Sequence, residues 1–344
     1  MAQKHGVANE IAYPSAIPFV LVHLGCVAVL WTGVTWPAIA LGVGLYWLRM
    51  FGVTAGYHRY FSHRSFTTSR LFQFVLAWLA QSSAQRGVLW WAAKHRHHHV
   101  HSDTAEDVHS PLRTGFAYSH VGWIFARRHD GFDPGAIPDF ARYPELRLLQ
   151  RFELVPAVAL ALLCLLLAGW PGLVVGFLWS TVLVYHATFC INSLAHVRGS
   201  RRYVTGDTSR NNLVLAIVTM GEGWHNNHHA YPSSTRQGFR WWEVDATYYL
   251  LKLLATFGIV RGVDGPPERV LRNEQVLGAR IVDRTAGLLA AQFLDTLPVL
   301  PTRAALTEQA KAMIARTPSL DAIVDRAHEL LVAAIGSNAG AQRG

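Results

Sequence analysis

Four apolar runs, arranged as two closely spaced pairs, limit what this 344-residue chain can fold into. They lie at about Ile17 to Val34, Ala38 to Tyr57, Leu154 to Trp170 and Leu173 to Ile191. Each approaches the ~20 residues that carry a helix across a bilayer. Only Thr35, Trp36 and Pro37 separate the first pair, and only Pro171 and Gly172 the second. Each pair therefore reads as a helical hairpin. Composition agrees. Hydrophobic residues make up 51% and charged residues 15%, where an average soluble domain is about 25% charged.

Loop charge sets the orientation. The two tight turns carry no Lys or Arg. The segment between the second and third runs carries Arg59, Arg64, Arg70, Arg86, Lys94, Arg96, Arg113, Arg127 and Arg128, and the segment after the fourth opens with Arg198, Arg201 and Arg202. The positive-inside rule puts both termini and both long segments in the cytoplasm. It also accounts for the net charge of +9. No basic stripe with interleaved aromatics stands apart from the apolar runs, so nucleic acid is not an expected partner.

The remaining segments are quieter. Met1 to Ser15 is polar and lacks a cleavable signal pattern. Leu71 to Ala80 and Tyr248 to Ile259 are apolar but too short to span, and read as interfacial or re-entrant helices. Gly262 to Pro267 reads as a linker. Beyond it, Leu320, Ile323, Val324, Ala327, Leu330 and Leu331 recur at helical spacing, with Ser319 as a cap. The expected fold is an all-α integral membrane protein. Residues 1–262 form a domain of four transmembrane helices in two hairpins with a cytosolic helical cap, and residues 263–344 a helical tail.

Histidine is the anomaly, with 18 residues against three cysteines. Cys26, Cys164 and Cys190 sit in apolar runs without CxxC spacing, which leaves no disulfide framework or iron–sulfur cluster. The histidines cluster as His58-Arg-Tyr-Phe-Ser-His63, His95-Arg-His-His98-His99 and His225-Asn-Asn-His228-His229. On an α-helix, residues at i, i+3 and i+4 share a face. His95, His98 and His99 meet that rule, as do His225, His228 and His229, while His97 falls opposite. His58 and His63 are five apart and share a site only if the helix ends or bends near Ser62 or Arg64. Asn192 and His196 lie at i and i+4 where the fourth run ends. All of these fall on the cytoplasmic side, and nine imidazoles suit two metals better than one. Such nitrogen sets favour iron, copper, nickel or zinc over calcium or magnesium. The isolated His5, His23, His101, His109, His120, His129, His186 and His328 read as structural or solvated residues.

Taken together, these residues resemble the membrane fatty-acid desaturases, in particular the acyl-CoA, delta-9 branch. The likeness covers about Ile17 to Val260. It rests on Thr54-Ala-Gly-Tyr-His-Arg-Tyr-Phe-Ser-His63, His95 to His99, Ser119-His-Val-Gly-Trp123, Asn192 to His196 and Gly223-Trp-His-Asn-Asn-His-His229. It implies a di-iron centre. One iron is expected on His58, His63, His99 and His229, with a water held by Asn192. The other is expected on His95, His98, His196, His225 and His228. Zinc could take the same ligands in a purified sample. The implied reaction uses O2 to place a cis double bond in a long-chain acyl-CoA at position 9.

Several further expectations follow from that likeness. Tyr46 and Met50, ~18 and ~12 Å from His58 by helix rise, would line an acyl tunnel. Trp123, Arg127 and Arg128 would lie near the substrate, the two arginines at the CoA phosphates. Eukaryotic members often carry an Arg-Asp pair before the second box, where this chain has Ala93-Lys94, and His97 stands where Ala is common. The chain shows no Rossmann fingerprint, no cysteine cluster and no His-Pro-Gly-Gly haem signature. Haem, flavin and nicotinamide are thus not expected on it. Electrons would come from an external donor, a ferredoxin with its reductase or a cytochrome b5-like protein. A lipid or alkane hydroxylase uses similar histidine boxes and is the nearest alternative. A metal transporter or store is an alternative of another class.

Overall fold

The computed structural model describes residues 13–274 and 276–294, with short stretches at 307–308, 310–312 and 314. The helical repeat at 320–331 and His328 lie outside the described residues. The chain is mostly helical. Its elements begin with α1 (Tyr13–Gly25), α2 (Trp36–Ser62), α3 (Arg70–Gln81) and α4 (Val88–His101). They continue with α5 (Val155–Pro171), α6 (Ser180–Asn192), α7 (His225–Ala230), α8 (Ala246–Thr256) and α9 (Ala279–Leu294). Two helices, Trp36–Ser62 and the continuous Val155–His196, are long and apolar enough to cross a membrane, and Ala16–Thr32 is a shorter apolar one.

The long Val155–His196 stretch is not straight. Ala168 (φ −140°, ψ 21°) and Gly169 (φ 62°, ψ −157°) leave helical geometry. Gly169 tolerates its positive φ because it has no Cβ. Ala157, Cys164 and Phe177 then pack in one cluster with Leu45. Residues 157 and 177 would be ~30 Å apart on a straight helix, so the chain doubles back. The reversal falls just before Pro171-Gly172, because Pro171 starts the returning helix rather than ending the first.

Small residues bring α2 against the returning leg. A Cβ on Gly42 would lie 2.8 Å from the Val175 carbonyl, and one on Gly176 would lie 2.9 Å from the Leu41 side chain. Close backbone approach of this kind is how apolar helices associate in lipid. Arg49, fully buried on α2, reinforces the contact. Its guanidinium donates to Thr181 Oγ1 at 2.6 Å, to Ser180 Oγ and to the Phe177 carbonyl. Gly42→Val is expected to cost about 1–3 kcal/mol by overpacking, read as a lower thermal midpoint in detergent. Gly44, with open space around it, should accept alanine without loss.

The end of α2 is a wide turn. Gly52–Ser62 is π-helical and buried throughout. There the backbone pairs five residues apart: His63 N–H donates to the His58 carbonyl at 3.2 Å, and the Ser62 side-chain hydroxyl spans the same interval to the Tyr57 carbonyl at 2.8 Å. An i→i+5 ladder stacks His63 over His58. A core of Met50, Tyr57, Phe61, Leu76, Leu89 and Leu251 joins α2, α3, α4 and α8. Thr67–Thr68 pairs antiparallel with Val260–Arg261, tying the segment after α2 to the chain beyond α8.

Candidate metal centre

Nine imidazoles converge in two groups where α2, α4, α7 and the end of α6 meet. His58, His63, His95, His99 and His228 form the first group, and His98, His196, His225 and His229 the second. In each group the candidate ligand atoms lie within 4.8 Å of one another. The membership is that of the nine residues named above, but the partition differs: His95 and His228 join the first group and His229 the second. The cause is local. On α4, His95 and His99 face α2 while His98 turns toward His196, and the wide turn of α2 swings both His58 and His63 toward His95. His58 and His63 have ring centroids 4.8 Å apart.

The spacing within the first group fits a metal. Nε2 of His228 stands 3.0 Å from Nε2 of His58 and 3.0 Å from that of His99. His95 Nε2 is 3.0 Å from His99 Nε2 and 2.8 Å from His63 Nε2. Two nitrogens bound at ~2.1 Å and at right angles on one ion would be ~3.0 Å apart. In the second group, His196 and His225 bring their Nε2 atoms to 3.0 Å. His98 Nε2 and His229 Nε2 are buried without a hydrogen-bond partner. Buried nitrogens left unpaired cost about 1–3 kcal/mol each, and a bound ion would remove that cost.

Electrostatics keep these rings in ligand form. Burial, then neighbouring imidazoles, push His63, His95, His99, His225 and His228 well below the ordinary imidazole range. They are neutral at pH 7, the state that binds metal. Carboxylates orient four of the nine. His98 Nδ1 lies 2.9 Å from Asp107, and His229 Nδ1 2.8 Å from Asp207. His196 Nδ1 lies 3.6 Å from Asp103 and 3.3 Å from Thr208 Oγ1, and His58 Nδ1 contacts Glu222. A ring that donates Nδ1–H to a carboxylate leaves its Nε2 lone pair for a metal. Burial alone would raise Asp107 and Asp207, but His98 and His229 hold both carboxyls well below their usual range. Sequence reading missed these four acids and Gln237, which lies 3.2 Å from His58 Nδ1. They sit in loops or singly, without periodicity.

The isolated histidines divide. His97 is exposed, with Nε2 2.8 Å from the Glu106 carbonyl, and belongs to neither group. His109 is buried within reach of His98 and Asp107, its ring 5.0 Å from Trp123. His23, His186 and His120 form a separate row, with nitrogens 3.1 and 3.0 Å apart.

A mainly apolar cavity of about 520 Å³ reaches the centre. His95, His109, Trp123 and Asn192 line it near the imidazoles, and Ala157, Ala161 and Phe177 line it along the hairpin. Arg86, Lys94 and Glu153 supply charge to its wall. Tyr46 and Met50 are not among the residues that line it. The Tyr46 hydroxyl donates to the Val218 carbonyl at 2.6 Å, and Met50 packs into the core. That face of α2 is occupied by protein, and the cavity lies between α1, α5 and α6. Arg127 and Arg128 are exposed and off the cavity wall, with Arg128 donating to the Tyr118 hydroxyl at 2.9 Å.

Comparison with known proteins agrees with this centre. The profile of the fatty acid desaturase family matches residues 34–260. The sn-1 stearoyl-lipid 9-desaturase of Anabaena variabilis is 37% identical over 74% of this chain and 94% of its own length. The sn-2 palmitoyl-lipid 9-desaturase of Nostoc sp. (strain 36) is 35% identical over 78% of the chain and 96% of its own length. An acyl-CoA 5-desaturase of Anemone leveillei is 36% identical over 72% of the chain and 78% of its own length. With its two imidazole groups inside the matched region, this chain belongs to the fatty acid desaturase family.

Proposed function

We propose that the chain is an O2-dependent di-iron desaturase that places a cis double bond at position 9 of a long-chain acyl group. The observation that carries this reading is the apolar cavity ending against two groups of closely spaced imidazoles. Its volume is in the range of ligand sites, about 300–1,000 Å³. His58, His63, His95, His99 and His228 would hold one iron, and His98, His196, His225 and His229 the other, with Asn192 beside them. Iron bound there supplies O2 activation and removal of two hydrogens. Overall, –CH2–CH2–, O2, two electrons and two protons give –CH=CH– and two waters. The chain's own contribution is to keep the imidazoles buried and aimed, to exclude water along the cavity, and to set which methylenes lie beside His95 and Asn192. Electrons come from an external one-electron donor, a ferredoxin with its reductase or a cytochrome b5-like protein.

The breaks at Gly33–Thr35 and Ala168–Gly169 support two hairpins, hence four spans, and the Lys and Arg of the long segments favour a cytoplasmic side for both termini and the centre. A membrane lipid is the favoured acyl carrier, since the two 9-desaturase relatives are named for lipid-bound chains. Acyl-CoA is the second reading, supported by the exposed Arg127-Arg128 pair beyond Trp123. Expression in a host that lacks the activity tests the proposal. Position-9 monoenes should accumulate in air and not without O2. Hydroxylated chains instead would favour the hydroxylase, and an unchanged acyl profile would leave the metal transporter or store.

A further inference from the structure

The carboxylates behind the imidazoles are divided unevenly. In the second group, three of the four rings face an acid: His98 faces Asp107, His229 faces Asp207 and His196 faces Asp103. These acids are themselves held in place. Asp107 accepts from the Asp103 amide at 2.7 Å, and Asp207 from Thr205 Oγ1 at 2.8 Å and the Ser209 amide at 3.0 Å. Asp103 accepts from Ser110 Oγ at 2.5 Å and from both the amide and hydroxyl of Thr208 at 2.7 Å. In the first group, among the described residues, only His58 faces an acid, Glu222. Arg59 draws on that same carboxylate at 3.1 Å and on Asp245 at 2.9 Å.

We infer that the two metal positions are unequal: the His98–His196–His225–His229 position binds its ion tightly, and the five-histidine position is the exchangeable one. An acid hydrogen-bonded to a ligating imidazole raises its basicity and offsets the charge of the ion. Two such acids, Asp107 and Asp207, act on the second position with Asp103 as a third carboxylate 3.6 Å from His196, while at the first a single acid is shared with a guanidinium. Asp103, Asp107 and Asp207 are thus positioning residues for metal retention. His95 lines the cavity, so the exchangeable ion is the one beside the substrate.

This rests on the di-metal reading above, and one experiment separates the two. The purified full-length chain is saturated with zinc, its metal content is measured, and it is then challenged with increasing EDTA. Uptake of two ions is expected, and no more than one at saturation would overturn the di-metal reading itself. On chelation one ion should leave first and one remain, and anomalous scattering should place the retained zinc among His98, His196, His225 and His229. Simultaneous loss, or retention among the five histidines, would overturn the inference without touching the di-metal reading. Asp207→Asn should weaken the retained ion by about 10–100-fold, whereas Glu222→Gln should leave its retention unchanged. The wild-type occupancies decide the matter even if a variant fails to fold.

Discussion

His228→Ala will lower product formation by at least about 100-fold while leaving a folded protein. Mutating only the partner behind a metal ligand typically costs 10–100-fold, and His228 stands in direct line with two others, its Nε2 3.0 Å from both His58 and His99. His98→Ala should act equally on the second group, where it also takes from the buried Asp107 carboxylate its imidazole partner. Both variants should elute from size exclusion like wild type with reduced metal content. His97→Ala is the matched control inside the same box. Its ring is exposed and bonded to a backbone carbonyl, so activity should stay within about two-fold of wild type. Near-normal product from His228→Ala, or loss from His97→Ala, would contradict the assignment of the ligands.

Ala161→Trp will shift chain-length preference toward shorter acyl groups by ten-fold or more. Ala161 lines the cavity opposite the returning helix and is half-buried. Tyr185 lies seven residues before Asn192, ~10 Å by helix rise, so this wall runs well beyond the imidazoles. A bulky indole there removes room for the tail past the reacting carbons. Each methylene of misfit in an apolar pocket is worth about 1–3 kcal/mol, or 10–200-fold in kcat/KM. Tyr46→Ala, away from the cavity wall, should leave the profile unchanged. Competition between C16 and C18 chains reads the ratio. A shift in Tyr46→Ala but not in Ala161→Trp would return the tail to α2.

What could be read from sequence was whatever has a period. His95, His98 and His99, and His225, His228 and His229, announce themselves because α-helical spacing puts them on one face. The pairing of His58 with His63 was visible only as a geometric demand, and the π-helical turn that meets it has no simple residue pattern. The partition of ligands depends on how α4 is rotated between α2 and α6, a tertiary fact. Asp103, Asp107 and Asp207 reach their histidines from loops whose course no local rule dictates. Helical periodicity shows that Tyr46 and Met50 share a face of α2, not what that face meets, and the described cavity lies elsewhere. Likewise His23, His120 and His186 look solitary in sequence, being 66 to 163 residues apart, yet stand in one row.

The central claim is tested most directly by following hydrogen and oxygen at one acyl chain. The chain, iron-loaded and reconstituted in vesicles with a ferredoxin and its reductase, would be given a stearoyl lipid deuterated at carbons 9 and 10. The account predicts a cis-9 monoene that has lost one hydrogen from each carbon, with one O2 consumed per double bond and no oxygen retained in the product. A product that keeps an oxygen and has lost a single hydrogen, or no O2-dependent change in the chain, would contradict it.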